Sequence, residues 1–174
     1  MIYLDYAATT PLRSEAMEAM LPYLKEDFGN PDSLHMLGRR AALALQDARD
    51  TIAALLGVKA SEVYFTAGGT EADNWAVRCT KAAERGIAVS AIEHHAVLEA
   101  AQLASREGRT VRYLSVGREG AVSPEALADI SGDAGLVGVM AVTNESGVMQ
   151  PVAQLAAAAH ARGALFFSDC VQAA

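Results

Sequence analysis

The sequence predicts an α/β protein built on a mostly parallel sheet with helices on both faces. Two observations carry this expectation. Strand-like runs alternate with helical stretches of ten or more residues, and that spacing implies strand–helix–strand crossovers. Two of the runs, LVGVMAV (136–142) and ALFF (164–167), are apolar almost without interruption, as strands covered on both faces must be.

The elements follow in order. An extended start over 2–6 leads to Pro11, which opens a helical pattern through SEAMEAMLPYLKED (14–27). FGNPDSLH (28–35) reads as a loop because Gly29, Asn30 and Pro31 are turn residues. GRRAALALQDARDTIAALLG (38–57) is a long amphipathic helix that Gly57 ends. Strand EVYFTA (62–67), loop GGT and helix EADNWAVRCTKAAERG (71–86) come next. Strand IAVSAI (87–92), helix EHHAVLEAAQLASREG (93–108) and strand VRYLSV (111–116) follow. Helix SPEALADI (123–130), strand LVGVMAV, loop NESGVMQ, helix PVAQLAAAAHARG (151–163) and strand ALFFSD (164–169) complete the series. The expected organisation is an extended arm over 1–14, amino-terminal helices over 15–57 and a sheet domain over 58–174.

A chain of 174 residues is long enough to bury a core. Its net charge of −7 argues against a nucleic-acid or membrane-surface binder, since both need clustered Lys and Arg. A small anion remains a possible ligand, because a helix start binds phosphate without net positive charge. Two separated cysteines, Cys79 and Cys170, give neither a disulfide framework nor a metal knuckle. Both are expected to be small buried residues. No apolar run approaches a membrane span, and the first twelve residues lack the basic start and apolar core of a signal peptide. The expectation is a soluble cytoplasmic protein with no bound metal.

In parallel sheets ligands gather beyond the carboxyl ends of the strands, so the polar residues there carry the functional reading. In FTAGGTEADN, a strand delivers Gly68, Gly69 and Thr70 into the first turn of a helix. Glycines admit a ligand close to the backbone, and free amides favour an anion. A tight turn with Thr70 as helix cap fits equally well. No Lys follows as in a phosphate-binding Walker loop, and the GxGxxG spacing is absent. His94 and His95 stand where a strand becomes a helix; one of them could stack on a flat ligand or move a proton, or simply start the helix in solvent. Asn144 ends a buried strand and could donate to a ligand oxygen, though Asn before Ser-Gly is also a turn. Asp169, with Gln172 three residues on, closes the last strand. A protonated ring nitrogen would offset the desolvation of that carboxylate, and a helix cap is its plainer use. Together these ends supply an anion cradle, a stackable ring, an amide and a carboxylate. That set suits a planar, phosphorylated, protonated pyridine such as pyridoxal phosphate.

The stretches IYLDYAATTP, FGNPDSLHMLGRRA, VYFTAGGTEADN, EHHAVL, TNESGVMQPV and SDCVQA resemble, in order and spacing, the cysteine desulfurase family. These are pyridoxal-phosphate enzymes of the class V aminotransferase group. The similarity runs over essentially the whole chain, and LDYAATTP and GNPDSLH favour the desulfurase branch. The resemblance implies the three-layer α/β/α large domain of pyridoxal-phosphate-dependent transferases of fold type I, present here in part. It implies that Gly69 and Thr70 hold the cofactor phosphate and that His94 stacks over the ring and takes part in proton transfer. Asn144 and Gln172 would contact the ring hydroxyl oxygen, and Asp169 would pair with the pyridinium nitrogen. In the family, free L-cysteine becomes L-alanine, and a loop cysteine takes the sulfur as a persulfide for iron–sulfur cluster or thio-cofactor synthesis.

The family carries its Schiff-base lysine shortly after the Asp-Gln pair, then a loop cysteine and a substrate-binding arginine. Those regions lie beyond these 174 residues, and Lys25, Lys59 and Lys81 do not match the lysine by spacing. The chain is therefore expected to be the amino-terminal half of a desulfurase, inactive alone, with a sheet edge and apolar helix faces uncovered. Expected partners are L-cysteine, the carboxy-terminal half of the enzyme, a second copy in a homodimer and a sulfur-acceptor protein. Alternatives are a non-catalytic scaffold that keeps the fold, another class V aminotransferase, or a selenocysteine lyase.

Overall fold

The computed structural model describes residues 2–128, 130 and 132–173. The chain divides into two compact units, Met1–Phe65 and Thr66–Ala174. In the first, α1 (Ser14–Lys25) and α2 (Met36–Leu56) are the main elements. The pattern opened by Pro11 becomes helical only at Ser14. α2 begins where His35 Nδ1 accepts from the Gly38 amide at 3.3 Å. It ends at Gly57, whose φ of 68° is a left-handed cap that a residue without Cβ adopts freely. Much of the apolar surface of α2 remains in solvent, Leu43, Leu55 and Leu56 included.

The run 62–67 does not form the expected strand. After a 3₁₀ turn at Ala60–Glu62 the backbone is extended at Val63. Among the described residues, however, no strand pairs with it, and Tyr64 is 72% exposed. β-propensity without a ladder partner yields an extended segment only.

The second unit holds four parallel strands: β1 (Ile87–Ser90), β2 (Val111–Leu114), β3 (Leu136–Gly138) and β4 (Leu165–Phe167). Their order is β2-β1-β3-β4. α4 (His95–Arg106) joins β1 to β2, and α5 (Val152–His160) joins β3 to β4. Alternation along the strands divides the core in two. Ile87, Val89 and Leu136 pack with Val97, Ala100, Ala101 and Ala104 of α4. Ala88 and Val137 face the other way, toward Leu155 and Ala159 of α5. Helices thus cover both faces, giving the expected three-layer α/β/α arrangement. Leu155 is fully buried, so Leu155→Ala is expected to cost about 2–5 kcal/mol, seen as a lower melting temperature. No helix of the described residues is long and apolar enough to cross a membrane.

Three further elements depart from expectation. The helix over 71–86 is broken into α3 (Gly69–Asn74), a π turn (Trp75–Cys79) and a 3₁₀ turn (Lys81–Arg85), with Thr80 extended between the turns. Val77 and Ala83 are both buried against the α4 side of the sheet. In an unbroken helix, at roughly 100° per residue, they would point about 120° apart; rewinding the chain lets both reach the core. The helix over 123–130 is a single 3₁₀ turn, Pro124–Leu127, capped by the Ser123 hydroxyl; residue 129 lies outside the described residues. The run 136–142 leaves the β1 ladder after Gly138 and continues beside the β4 exit, with Val139 donating to Phe167 and Ala141 to Asp169. At its end Val142 bridges Met149 in a hairpin.

Candidate functional site

From β1 the chain steps outward to β2; from β3 it steps outward the opposite way to β4. The order therefore reverses between β1 and β3, and in an open sheet that reversal leaves a crevice at the carboxyl edge. The exits of β1 and β4 and the start of α3 meet there.

At the start of α3, the amides of Gly69 and Thr70 and the Thr70 hydroxyl have no hydrogen-bond partner among the described residues. A Cβ built on Gly68 would meet nothing within 4 Å, so the backbone is open to a ligand. A Cβ on Gly69 would lie 3.0 Å from Val171 Cγ2, which places this turn against the segment carrying Asp169 and Gln172. Asp169 is half-buried; its Oδ1 accepts from the Val171 amide at 2.9 Å. Gln172 is half-buried in the turn that follows. His94 caps α4: its Nδ1 accepts from the Ala96 amide at 3.2 Å, which puts the proton of the neutral ring on Nε2. His95 packs edge-on to it at 6.2 Å.

Two acids not among the sequence-predicted site residues share this edge. Asp73 on α3 is 6% exposed. Its carboxyl is pushed up to about 6, first by burial and then by the charge of Asp169, with His94 opposing. Glu93, 5% exposed, accepts through Oε1 from the Ser90 hydroxyl and from the Met140 amide. Burial raises its carboxyl above the usual range; the two hydrogen bonds oppose this, and Asp169 and Asp73 add to it. The signal was in the sequence: Glu93 follows an apolar strand, the same placement that drew attention to Asp169.

Gly69, Thr70, His94 and Asp169 are thus brought together, with Gln172 in the adjoining turn. Among the described residues no hydrogen bond joins Asn144 to Gly69, Thr70, His94 or Asp169. It lies in the turn of the Val142–Met149 hairpin, and its amide donates to Glu145 at 3.2 Å. Lys81 opens the turn that leads into the start of β1, at the amino edge and away from the crevice. Cys79 and Cys170 are exposed, not buried as expected. Cys170 falls in the terminal turn beyond β4, and Cys79 ends the π turn. No cluster of metal-ligating side chains occurs among the described residues.

The donor set fits a phosphorylated pyridine. Three free donors at one end suit a phosphate, an imidazole stands at the edge, and Asp169 offers an anion to a protonated ring nitrogen.

The aminotransferase class V family model matches residues 2–174. The chain is 43% identical over 176 residues to a cysteine desulfurase IscS of Dictyoglomus turgidum, covering 98% of this chain and 45% of that protein. It is 48% identical over 178 residues to a cysteine desulfurase of Cereibacter sphaeroides, covering 99% and 46%. Among solved structures, a NifS-like protein superposes with a TM-score of 0.92 at 35% identity, over 98% of this chain and 49% of that one. SspA in complex with cysteine superposes with a TM-score of 0.88 at 30% identity, over 95% and 49%. The chain spans about half the length of the relatives it matches.

Proposed function

This chain belongs to the aminotransferase class V family, whose enzymes depend on pyridoxal 5′-phosphate, and we propose on that premise that it is the cofactor-binding part of a cysteine desulfurase. The proposed net reaction converts L-cysteine to L-alanine and leaves the sulfur on an enzyme cysteine as a persulfide. Bound in the crevice, the cofactor supplies an electron sink for bond cleavage at the amino acid.

The work of this chain's own residues is binding, orientation and proton placement. Gly69 and Thr70 direct three donors at the phosphate, where the start of α3 favours negative charge. His94, its Nδ1 held by the Ala96 amide, offers its ring face for stacking and Nε2 for proton transfer. Asp169 keeps the ring nitrogen protonated, because an anion beside it favours the charged form. Asn144 and Gln172 address the ring hydroxyl oxygen; the Asn144 amide has a second N–H for this beside the one it gives to Glu145. The Schiff-base lysine, the persulfide-forming cysteine and the arginine for the substrate carboxylate are supplied from outside these residues. The proposed setting is a cytoplasmic homodimer that delivers sulfur to an acceptor protein for iron–sulfur cluster or thio-cofactor synthesis.

The observation that carries this reading is the meeting of the Gly69–Thr70 donors with Asp169, marked by the Val171 side chain against Gly69. The complete gene product, given pyridoxal phosphate, L-cysteine and a reducing thiol, is expected to form alanine and sulfide in equal amounts. Bound cofactor without alanine would instead support a scaffold that keeps the fold and lacks the chemistry.

A further inference from the structure

Glu93 sits where the sheet opens. The β1–β3 ladder closes at the Val89–Gly138 pair. Beyond it the strands part: Ala91 donates to Leu114 of β2 at 2.9 Å, while Val139 and Ala141 donate to Phe167 and Asp169 at 3.2 and 2.8 Å. The Met140 amide lies between those two, so by the alternation of a strand it faces back toward β1. It donates to Glu93 Oε1 at 2.8 Å, and the hydroxyl of Ser90, the last residue of β1, donates to the same oxygen. One carboxyl oxygen therefore spans the crevice. The other, Oε2, is buried without a hydrogen-bond partner among the described residues.

That asymmetry bears on charge. A buried carboxylate would leave an anionic oxygen dry, which costs far more than a dry neutral group. The titratable groups around it offer little relief: Asp73 faces it from α3 and Asp169 from the exit of β4, both acids, and His94 at the head of α4 acts on Asp73. Burial is the largest influence on the Glu93 carboxyl and raises it; the bonds from Ser90 and Met140 oppose that shift.

We propose that Glu93 is a positioning residue of the cofactor site: as a neutral acid it replaces the ladder bond lost where β1 and β3 part, and it leaves Asp169 as the anion for the ring. The role rests on the pyridoxal-phosphate reading of the crevice. Glu93 acts through others, fixing the β1 exit that carries His94 and the β3 extension whose Ala141 amide holds the Asp169 backbone.

The test titrates the cofactor-free complete gene product with pyridoxal phosphate, following the visible band and its pH midpoint. Wild type comes first: absence of binding there would sink the cofactor reading itself, before any variant is compared. Glu93→Ala is expected to weaken binding about tenfold, the worth of the hydrogen bonds it removes. Glu93→Gln keeps the accepting oxygen and carries no charge at any pH, so it is expected to restore binding and leave the pH midpoint where wild type has it. Should Glu93→Ala fail to fold, Ser90→Ala removes one of the two donors and is expected to weaken binding about threefold. Wild-type affinity in Glu93→Ala, or in Ser90→Ala where that variant stands in, overturns the proposal. So does a Glu93→Gln protein whose midpoint moves or whose affinity falls to that of Glu93→Ala, since the negative charge would then be in use.

Discussion

Replacing Asp169 by asparagine is expected to lower the rate of alanine formation from L-cysteine by on the order of 10²–10³ while leaving the protein folded. The side chain has two jobs that this change separates. Its Oδ1 accepts from the Val171 amide at 2.9 Å, and the asparagine carbonyl can do the same, so the terminal turn is kept. The negative charge is lost, and with it the proposed means of keeping the ring nitrogen protonated. Aspartate beside a pyridinium acts when charge develops on the ring, so the loss falls on turnover more than on substrate affinity. A second consequence follows from the acid cluster. The Asp169 charge raises the carboxyls of both Asp73 and Glu93, so in Asp169→Asn both titrate lower than in wild type. Steady-state rates with circular dichroism as a folding control decide the matter; a variant within tenfold of wild type would place the partner of the ring nitrogen elsewhere.

Asp73 gives the other large effect, on stability. Burial pushes its carboxyl up to about 6 in the folded chain, against 3.8 for a free aspartate. The folded state therefore holds that proton more tightly than the unfolded state does. Below pH 4 both states are protonated and the residue costs nothing through its charge. As pH rises from 4 through 6 the unfolded form ionises while the folded form still holds its proton beside Asp169, so stability falls across that window and the cost is complete above it. Two pKa units correspond to about 3 kcal/mol. Asp73→Asn is accordingly expected to stabilise the protein by up to about 3 kcal/mol at pH 8, with the gain fading to nothing near pH 4. Melting curves across that range test it, and an equal gain at both ends would remove ionisation as the cause. A buried acid that destabilises the fold at neutral pH is the kind of strain that functional sites keep.

Much of the sheet was legible because its pattern is local. Ile87–Ser90 and Leu136–Gly138 are apolar on both faces, and helices of the right length separate them from β2 and β4. The expected strand at 62–67 shows the limit of that logic: Val63, Tyr64 and Phe65 have strand character, but a strand needs a neighbour, and neighbours are set by the fold. The helix over 71–86 failed for a related reason. Residues with acceptable helix propensity were rewound so that Val77 and Ala83 could reach one core, a demand no single window of sequence reveals. At the site, Asp169 and His94 were readable because charge at the end of an apolar strand asks for a partner. Glu93 obeys the same rule, yet its partners, Ser90 and the Met140 amide, come from both sides of the crevice. Only the strand order exposes that pairing.

The Gly69–Thr70 turn, His94 and Asp169 are proposed to form one site for pyridoxal phosphate. A crystal structure of the complete gene product with the cofactor tests it most directly. The phosphate is expected on the amides of Gly69 and Thr70 and the Thr70 hydroxyl, the ring against His94, and the ring nitrogen within hydrogen-bond distance of the Asp169 carboxylate. A cofactor seated outside the β1–β3 crevice, or one whose ring nitrogen turns away from Asp169, would contradict it.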